Sequence, residues 1–314
     1  MVDVLERKRS IEFSLADRET WLTVVESIAV SVISIAALIG NVILCLAIYR
    51  FRALRKVQNY YIVSLAISDL LLTSLCFSVA LAVVIMGRWP FSETVCQIQG
   101  SLIYLLASFM ILNMTLIAVN RYVKMVRTAT IYQKIYTKNS VLLSIASCGI
   151  FSGVFLIPFL SRGFCFHPGK LTCFVCKSTS REDQAIILIS YSVMIALTYP
   201  VMAFCYYKVF RKVRAHFAHV ADSTLQENSV QSYAEEVKIT KILFAVLIAF
   251  LICWTPAFVT EFYDTLRGDY TLQRQVYLIM FYTGAANCAV NPVIYGWMQK
   301  RFRDAYKKIL TCKN

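Results

Sequence analysis

The chain has 314 residues, 58% of them hydrophobic and 16% charged, whereas soluble domains carry about 25% charged residues. Its net charge of +14 is not gathered into a basic domain; Lys and Arg fall in short segments between apolar runs, which argues for a membrane protein and against a nucleic-acid partner.

Positions 1–20 are charged throughout, and the first apolar run, near 22–49, is too long for the core of a cleavable signal peptide, so it reads as a signal anchor. Six further runs of bilayer-spanning length follow, near 60–86, 98–120, 141–160, 185–207, 242–263 and 275–297. Seven spans put the termini on opposite sides. The segments near 50–56, 121–138, 208–241 and 300–313 hold 21 Lys and Arg against 5 Asp and Glu, while the other side holds 11 against 12. Excess Lys and Arg marks the cytoplasmic side, so the N-terminus is expected outside and the C-terminus inside.

The expected fold is an all-α membrane protein, a seven-transmembrane helix bundle with a short amphipathic eighth helix. It divides into an extracellular N-terminus (1–20), the seven-helix domain (21–297) and an amphipathic helix with a short cytoplasmic tail (298–314). In that last piece Phe302, Tyr306, Ile309 and Leu310 recur at helical spacing with Lys and Arg on the other face, the pattern of a helix lying in the membrane interface. In the outer loop 161–177, Phe-Cys-Phe and Cys-Phe-Val-Cys flank His167-Pro168-Gly169-Lys170, which suits a β-hairpin.

Several residues inside the spans carry chemistry. Asn41 follows Gly40 in the first, Asp69 lies mid-way along the second in Leu65-Ala66-Ile67-Ser68-Asp69, and Asn287 and Asn291 lie in the seventh. A carboxylate at that depth is costly unless it faces other helices, so these four are expected to cluster; a purely structural polar cluster is the plain alternative. Asn120-Arg121-Tyr122 closes the third span. An arginine there can pair with an acid in one state and offer its planar donor fork to a partner in another. Cys253-Trp254-Thr255-Pro256 sets a kinking proline beside an indole in the sixth span, and Asn291-Pro292-Val293-Ile294-Tyr295 interrupts the seventh in a similar way. The histidines are His167 in a loop and His216 and His219 on a cytoplasmic helix. No catalytic motif accompanies them, so no enzyme, cofactor or metal is expected.

Together these motifs resemble the rhodopsin-like (class A) G-protein-coupled receptors over nearly the whole chain. Asn120-Arg121-Tyr122, Tyr136-Thr137-Lys138-Asn139-Ser140 and Asn291-Pro292-Val293-Ile294-Tyr295-Gly296 look like those of melatonin-receptor relatives and of invertebrate orphan receptors with Asn-Arg-Tyr. The resemblance implies an extracellular ligand, a heterotrimeric G protein as partner, arrestin as a further one, and a plasma-membrane location. It implies an activation switch built from Asn120, Arg121, Tyr122, Tyr206, Glu236, Ile111, Phe250, Asn291, Pro292 and Tyr295, with Glu236 at the position of the family's locking acid. The cluster Asn41, Asp69, Asn287 and Asn291 resembles a sodium pocket, although Met110 stands where the family has a small hydroxyl residue. Cys96 is expected to bridge Cys173 on the outer side, while Cys165 and Cys176 flank the hairpin symmetrically and are left open as bridged or free. Cys312, just past the interfacial helix, is expected to be palmitoylated, and any arrestin signal would use Ser223, Thr224, Ser229 or Ser232.

A ligand pocket is expected above Trp254. Phe258 and Glu261 share its helix face, and Tyr104, Tyr277 and Phe281 add aromatic surface. Glu261 would meet a donor or cation of the ligand, or else pair with Arg274 or another outer-loop base. The ligand class is left open. Ile103 stands where amine receptors carry an aspartate, Ala285 where visual pigments carry the retinal lysine, and Met194 or Ala196 where melatonin receptors carry a fifth-helix histidine. A seven-helix transporter or channel is the runner-up reading, and a constitutively active or decoy receptor a third, since Asn120 supplies no acid beside Arg121.

Overall fold

The computed structural model describes residues 2–176, 181–220, 227–268 and 270–311, and among them the side chains of all but 2–3, 217–220 and 227–232. Helix α1 (Val2–Ala16) precedes the bundle and buries Ile11 and Leu15. The first span is α2 (Thr20–Arg50), followed by a short turn of helix at Arg52–Leu54. The second is α3 (Asn59–Leu71) and α4 (Ser78–Met86), joined by a wider π-helical stretch at Leu72–Phe77. Then come α5 (Glu93–Val126), a loop helix α6 (Ala129–Ile135) and α7 (Lys138–Leu160). Thr128 and Thr137 cap α6 and α7, each accepting a backbone N–H through its side chain.

A two-stranded antiparallel hairpin, β1 (Phe164–His167) and β2 (Thr172–Val175), leads to α8 (Arg181–Val220), α9 (Glu227–Arg267), α10 (Arg274–Met298) and α11 (Lys300–Leu310). The hairpin forms where its alternating apolar pattern predicts. Helix α1 has no counterpart in the sequence reading, because its charges hide the few apolar positions that it buries.

Six of these elements, α2, the α3–α4 span, α5, α7, α8 and α9, are long and apolar enough to cross a membrane. Helix α10, at 25 residues, has the length to be the seventh, but it turns Arg274, Asn287 and Asn291 into the bundle and so reads as less apolar. The outer faces carry exposed aliphatic side chains such as Val32, Ile35 and Ile39 on α2 and Ile150 and Val154 on α7, as lipid-facing helices must. Helix α5 runs through the centre and buries Met110, Ile111 and Met114. Helices α2 and α10 meet closely at Gly40, where a Cβ would come 3.0 Å from Pro292.

Candidate functional site

At one end of the bundle, α5 grips the hairpin. Gln97 binds both the N–H and the carbonyl of Phe164 at 2.9 Å, and Gln99 accepts the Cys173 N–H at 3.0 Å. The disulfide Cys96–Cys173 fixes β2 to this helix, and Cys165–Cys176 staples the base of the hairpin.

The hairpin tip reaches α9 and α10. Gly169 lies against Tyr277, so closely that a Cβ there would sit 2.5 Å from the ring. Lys170, almost fully buried, pairs with Glu261 and with Asp264 Oδ2 at 3.2 Å. Tyr277 donates to Asp264 at 2.7 Å, and the rings of Phe174 and Tyr277 lie 4.7 and 5.5 Å from the ammonium. A second charged cluster ties the α1–α2 junction to α10: Glu26 accepts from Arg274 at 2.6 Å and also pairs with Arg18. Burial depresses the Arg18 pKa, and Glu26 works against that shift.

Beneath the hairpin lies a cavity of about 650 Å³, walled by α5, α7, α8, α9 and α10. Tyr104, Trp254, Phe258 and Glu261 line it, as do Ile111 and Phe250 at its floor. Tyr277 and Phe281, expected in the pocket, do not line it. Tyr277 is drawn to Asp264, and Phe281 packs edge-on against Phe77 with ring centroids 5.7 Å apart. Glu261, expected to meet a ligand group, already holds Lys170, an outer-loop base. Sequence reading missed Phe174, Tyr191, Met194 and Met280 on the cavity wall, together with Lys170 and Asp264 just above it. The i, i+3 spacing of Glu261 and Asp264 on one helix was the available signal.

In the middle of the bundle, Asn291 donates to Asp69 Oδ2 at 3.0 Å, and Asn41 donates to the carbonyls of Ala37 and Cys288 at 2.9 and 2.8 Å. Asn287 is buried but its side chain makes no bond to these three; its amide nitrogen has no partner among the described residues. Met110 is fully buried in α5. Phe250 and Trp254 carry the packing upward, 6.0 Å apart.

At the end of the bundle opposite the hairpin, Arg121 is 1% exposed and bonds Glu236 at 3.4 Å, Asn120 Oδ1 at 3.0 Å, and Gln58. Gln58 is an acceptor that the sequence reading did not single out. Arg121, Asn120 and Gln58 border a solvent-open cleft of about 510 Å³ that Tyr295 also lines. Tyr122 packs on Phe204, Tyr206 on Phe244, and Tyr295 on Phe302 of α11. Burial pushes the Tyr306 phenol far above its ordinary pKa, so it stays a neutral donor to the Pro292 carbonyl at 3.4 Å. Cys312, Ser223 and Thr224 lie outside the described residues, and the side chains of Ser229 and Ser232 are not described.

A polar joint across helices, a cavity under a disulfide-held hairpin and a buried arginine at the far end together define a transmembrane receptor. The family model for the seven-transmembrane receptors of the rhodopsin family matches residues 40–295. The chain belongs to that family of G-protein-coupled receptors, which are receptors and not enzymes. It is similar to the histamine H2 receptor of Homo sapiens, 30% identical over 91% of this chain and 79% of that one, and to that of Rattus norvegicus, 31% over 93% and 81%. It is also similar to the octopamine receptor beta-1R of Drosophila melanogaster, 25% identical over 92% of this chain and 62% of that one.

Proposed function

We propose that the chain lies in the plasma membrane with its N-terminus outside and its C-terminus in the cytoplasm. A ligand in the cavity above Trp254 then favours a state in which Arg121 leaves Glu236 and the cytoplasmic cleft accepts a heterotrimeric G protein. The charge asymmetry of the loops supports the orientation. The observation that carries the switch is the nearly complete burial of Arg121 between Glu236, Gln58 and Asn120, bordering that cleft. A ligand moves this equilibrium only by binding the two states differently, so the contacts at Trp254, Phe250 and Ile111 are where binding is coupled to the switch. Asp69 bonded to Asn291, with Asn41 tied to the Cys288 carbonyl, forms the polar joint through which the spans shift.

Nucleotide exchange measured in membranes with a panel of G proteins tests this reading. Arg121→Ala is expected to lower exchange by roughly tenfold, the scale of a lost charged hydrogen bond. Unchanged exchange at equal surface amount would reject the switch. Arrestin is a further proposed partner, through Ser223 and Thr224 between α8 and α9 and Ser229 and Ser232 at the start of α9. Cys312 is proposed to carry palmitate as a second attachment for α11. Metabolic labelling with a palmitate analogue should fall in Cys312→Ser, and label independent of Cys312 would reject the site.

A further inference from the structure

Resting on the reading of the outer cavity as the ligand site, we propose that Lys170 is its built-in counter-cation. The cavity then takes a neutral, largely apolar aromatic molecule with one hydrogen-bond acceptor, and not an amine of the kind for which the histamine and octopamine receptors are named.

The charge arrangement carries the first half. Glu261 is the one carboxylate among the described residues lining the cavity, and its partner is the chain's own Lys170. The side chains of the pair are 1% and 4% exposed. Asp264 sits behind them, fully buried, and its oxygens take the Tyr277 hydroxyl, the Thr271 hydroxyl at 3.3 Å and Lys170. Lys170 holds Oε1 of Glu261, so a ligand ammonium there would have to share the carboxylate with a buried ammonium or expel it. The hairpin tip is seated by the approach of Gly169 to Tyr277 and by the disulfide at Cys173, so Lys170 cannot swing away without lifting the roof. Leaving its ammonium buried and unpaired, or placing a second cation beside it, is costly in either case.

The rest of the wall carries the second half. Ile103, Phe174, Met194, Phe258 and Met280 present only apolar or aromatic surface. The Ser108 hydroxyl donates to carbonyls of its own helix, those of Tyr104 at 2.8 Å and Leu105 at 3.0 Å. The Tyr191 hydroxyl donates to that of Tyr104 at 2.9 Å. The indole N–H of Trp254 is buried without a partner among the described residues and is the free donor at the floor.

The test uses the purified full-length receptor and its melting temperature. Matched probes differ in charge: indole-3-ethanol against tryptamine, and p-cresol against tyramine, with n-butylammonium as a bare cation. Wild type should be stabilised by the neutral members and not by the amines. Lys170→Ala should melt at least about 5 °C lower and be restored by millimolar n-butylammonium, and Lys170→Ala with Glu261→Gln should lose that rescue. If Lys170→Ala does not accumulate, Lys170→Ser takes its place, with the same rescue expected. Stabilisation of the wild type by tryptamine or tyramine that disappears in Glu261→Gln overturns the proposal, as does a Lys170 variant that no amine restores. Failure of every neutral aromatic to stabilise the wild type overturns the ligand class. G-protein exchange is read separately, so a receptor that binds neutral probes yet activates no G protein sinks the receptor switch and leaves this inference standing.

Discussion

At the hairpin end of the bundle a lysine is held by two carboxylates under a roof stapled by two disulfides. At the opposite end, proposed to face the cytoplasm, an arginine is held by one carboxylate and two neutral amides. Lys170 and Glu261 are 1% and 4% exposed, whereas Glu236, opposite Arg121, is 23% exposed. Water reaches one partner of the cytoplasmic pair and neither partner of the outer one. Removing one partner of a buried pair costs about 3–5 kcal/mol, while an exposed pair contributes about 0–1 kcal/mol. The same chemistry therefore makes a fixed roof at one end and a releasable lock at the other. Gln58 and Asn120 sharpen the contrast: they satisfy the guanidinium with dipoles, so separating Arg121 from Glu236 does not strip it of every acceptor.

The largest expected effect tests the roof. Cys96–Cys173 closes a sequence separation of 77 residues and Cys165–Cys176 one of 11. Chain-entropy reasoning assigns about 4.5 kcal/mol to the long loop and about 3 kcal/mol to the short one. Cys96→Ala should reduce surface receptor several-fold, and Cys165→Ala should reduce it less, as counted by surface labelling. Equal and normal amounts for both would mean that the hairpin is held by Lys170 and the glutamine contacts alone, and the outer end would lose its claim to be the rigid one.

The next test is of the lock. Glu236→Gln removes a pair worth about 1 kcal/mol, so basal nucleotide exchange should rise by up to about fivefold. A rise well beyond that would show the lock to be as strong as the roof and break the comparison from the other side. An unchanged basal rate would assign the restraint on Arg121 to Gln58 and Asn120.

Much of this was legible in the chain itself, for physical reasons. Spans announce themselves because lipid tolerates only apolar helix faces, and Arg121, Asp69 and Asn291 stand out because polar residues at depth are rare. The hairpin followed from alternation around Pro168-Gly169. What stayed hidden depends on three-dimensional approach. A lysine in a loop reads as solvated, and nothing in the local pattern says that Lys170 is carried inward to Glu261 and Asp264. Tyr277 lay on the expected face of its helix yet turns to Asp264, because a buried carboxylate competes for its hydroxyl more strongly than an apolar cavity does. Gln58 was passed over because a glutamine beside a cytoplasmic turn carries no charge signal.

The smallest expected effect supplies the control for the lock. Glu235 is the neighbour of Glu236 in α9, and it binds Arg301 of α11 through both carboxylate oxygens, at 2.9 and 3.0 Å. Its pair is 55% and 42% exposed, open to water on both sides. Salt and hydration screen such a contact, and holding two long side chains in one geometry offsets most of what remains. Glu235→Gln removes the same charge, one residue away, from the same helix. If net charge near the cytoplasmic mouth governed basal activity, it should match Glu236→Gln. If burial of the partner governs it, Glu235→Gln should change basal exchange by less than about twofold, a shift below roughly 0.4 kcal/mol, with Arg121 still held. Side-by-side exchange assays of the two variants at low and high salt separate these cases, because a field effect falls with ionic strength and the enclosed Arg121 contact falls much less.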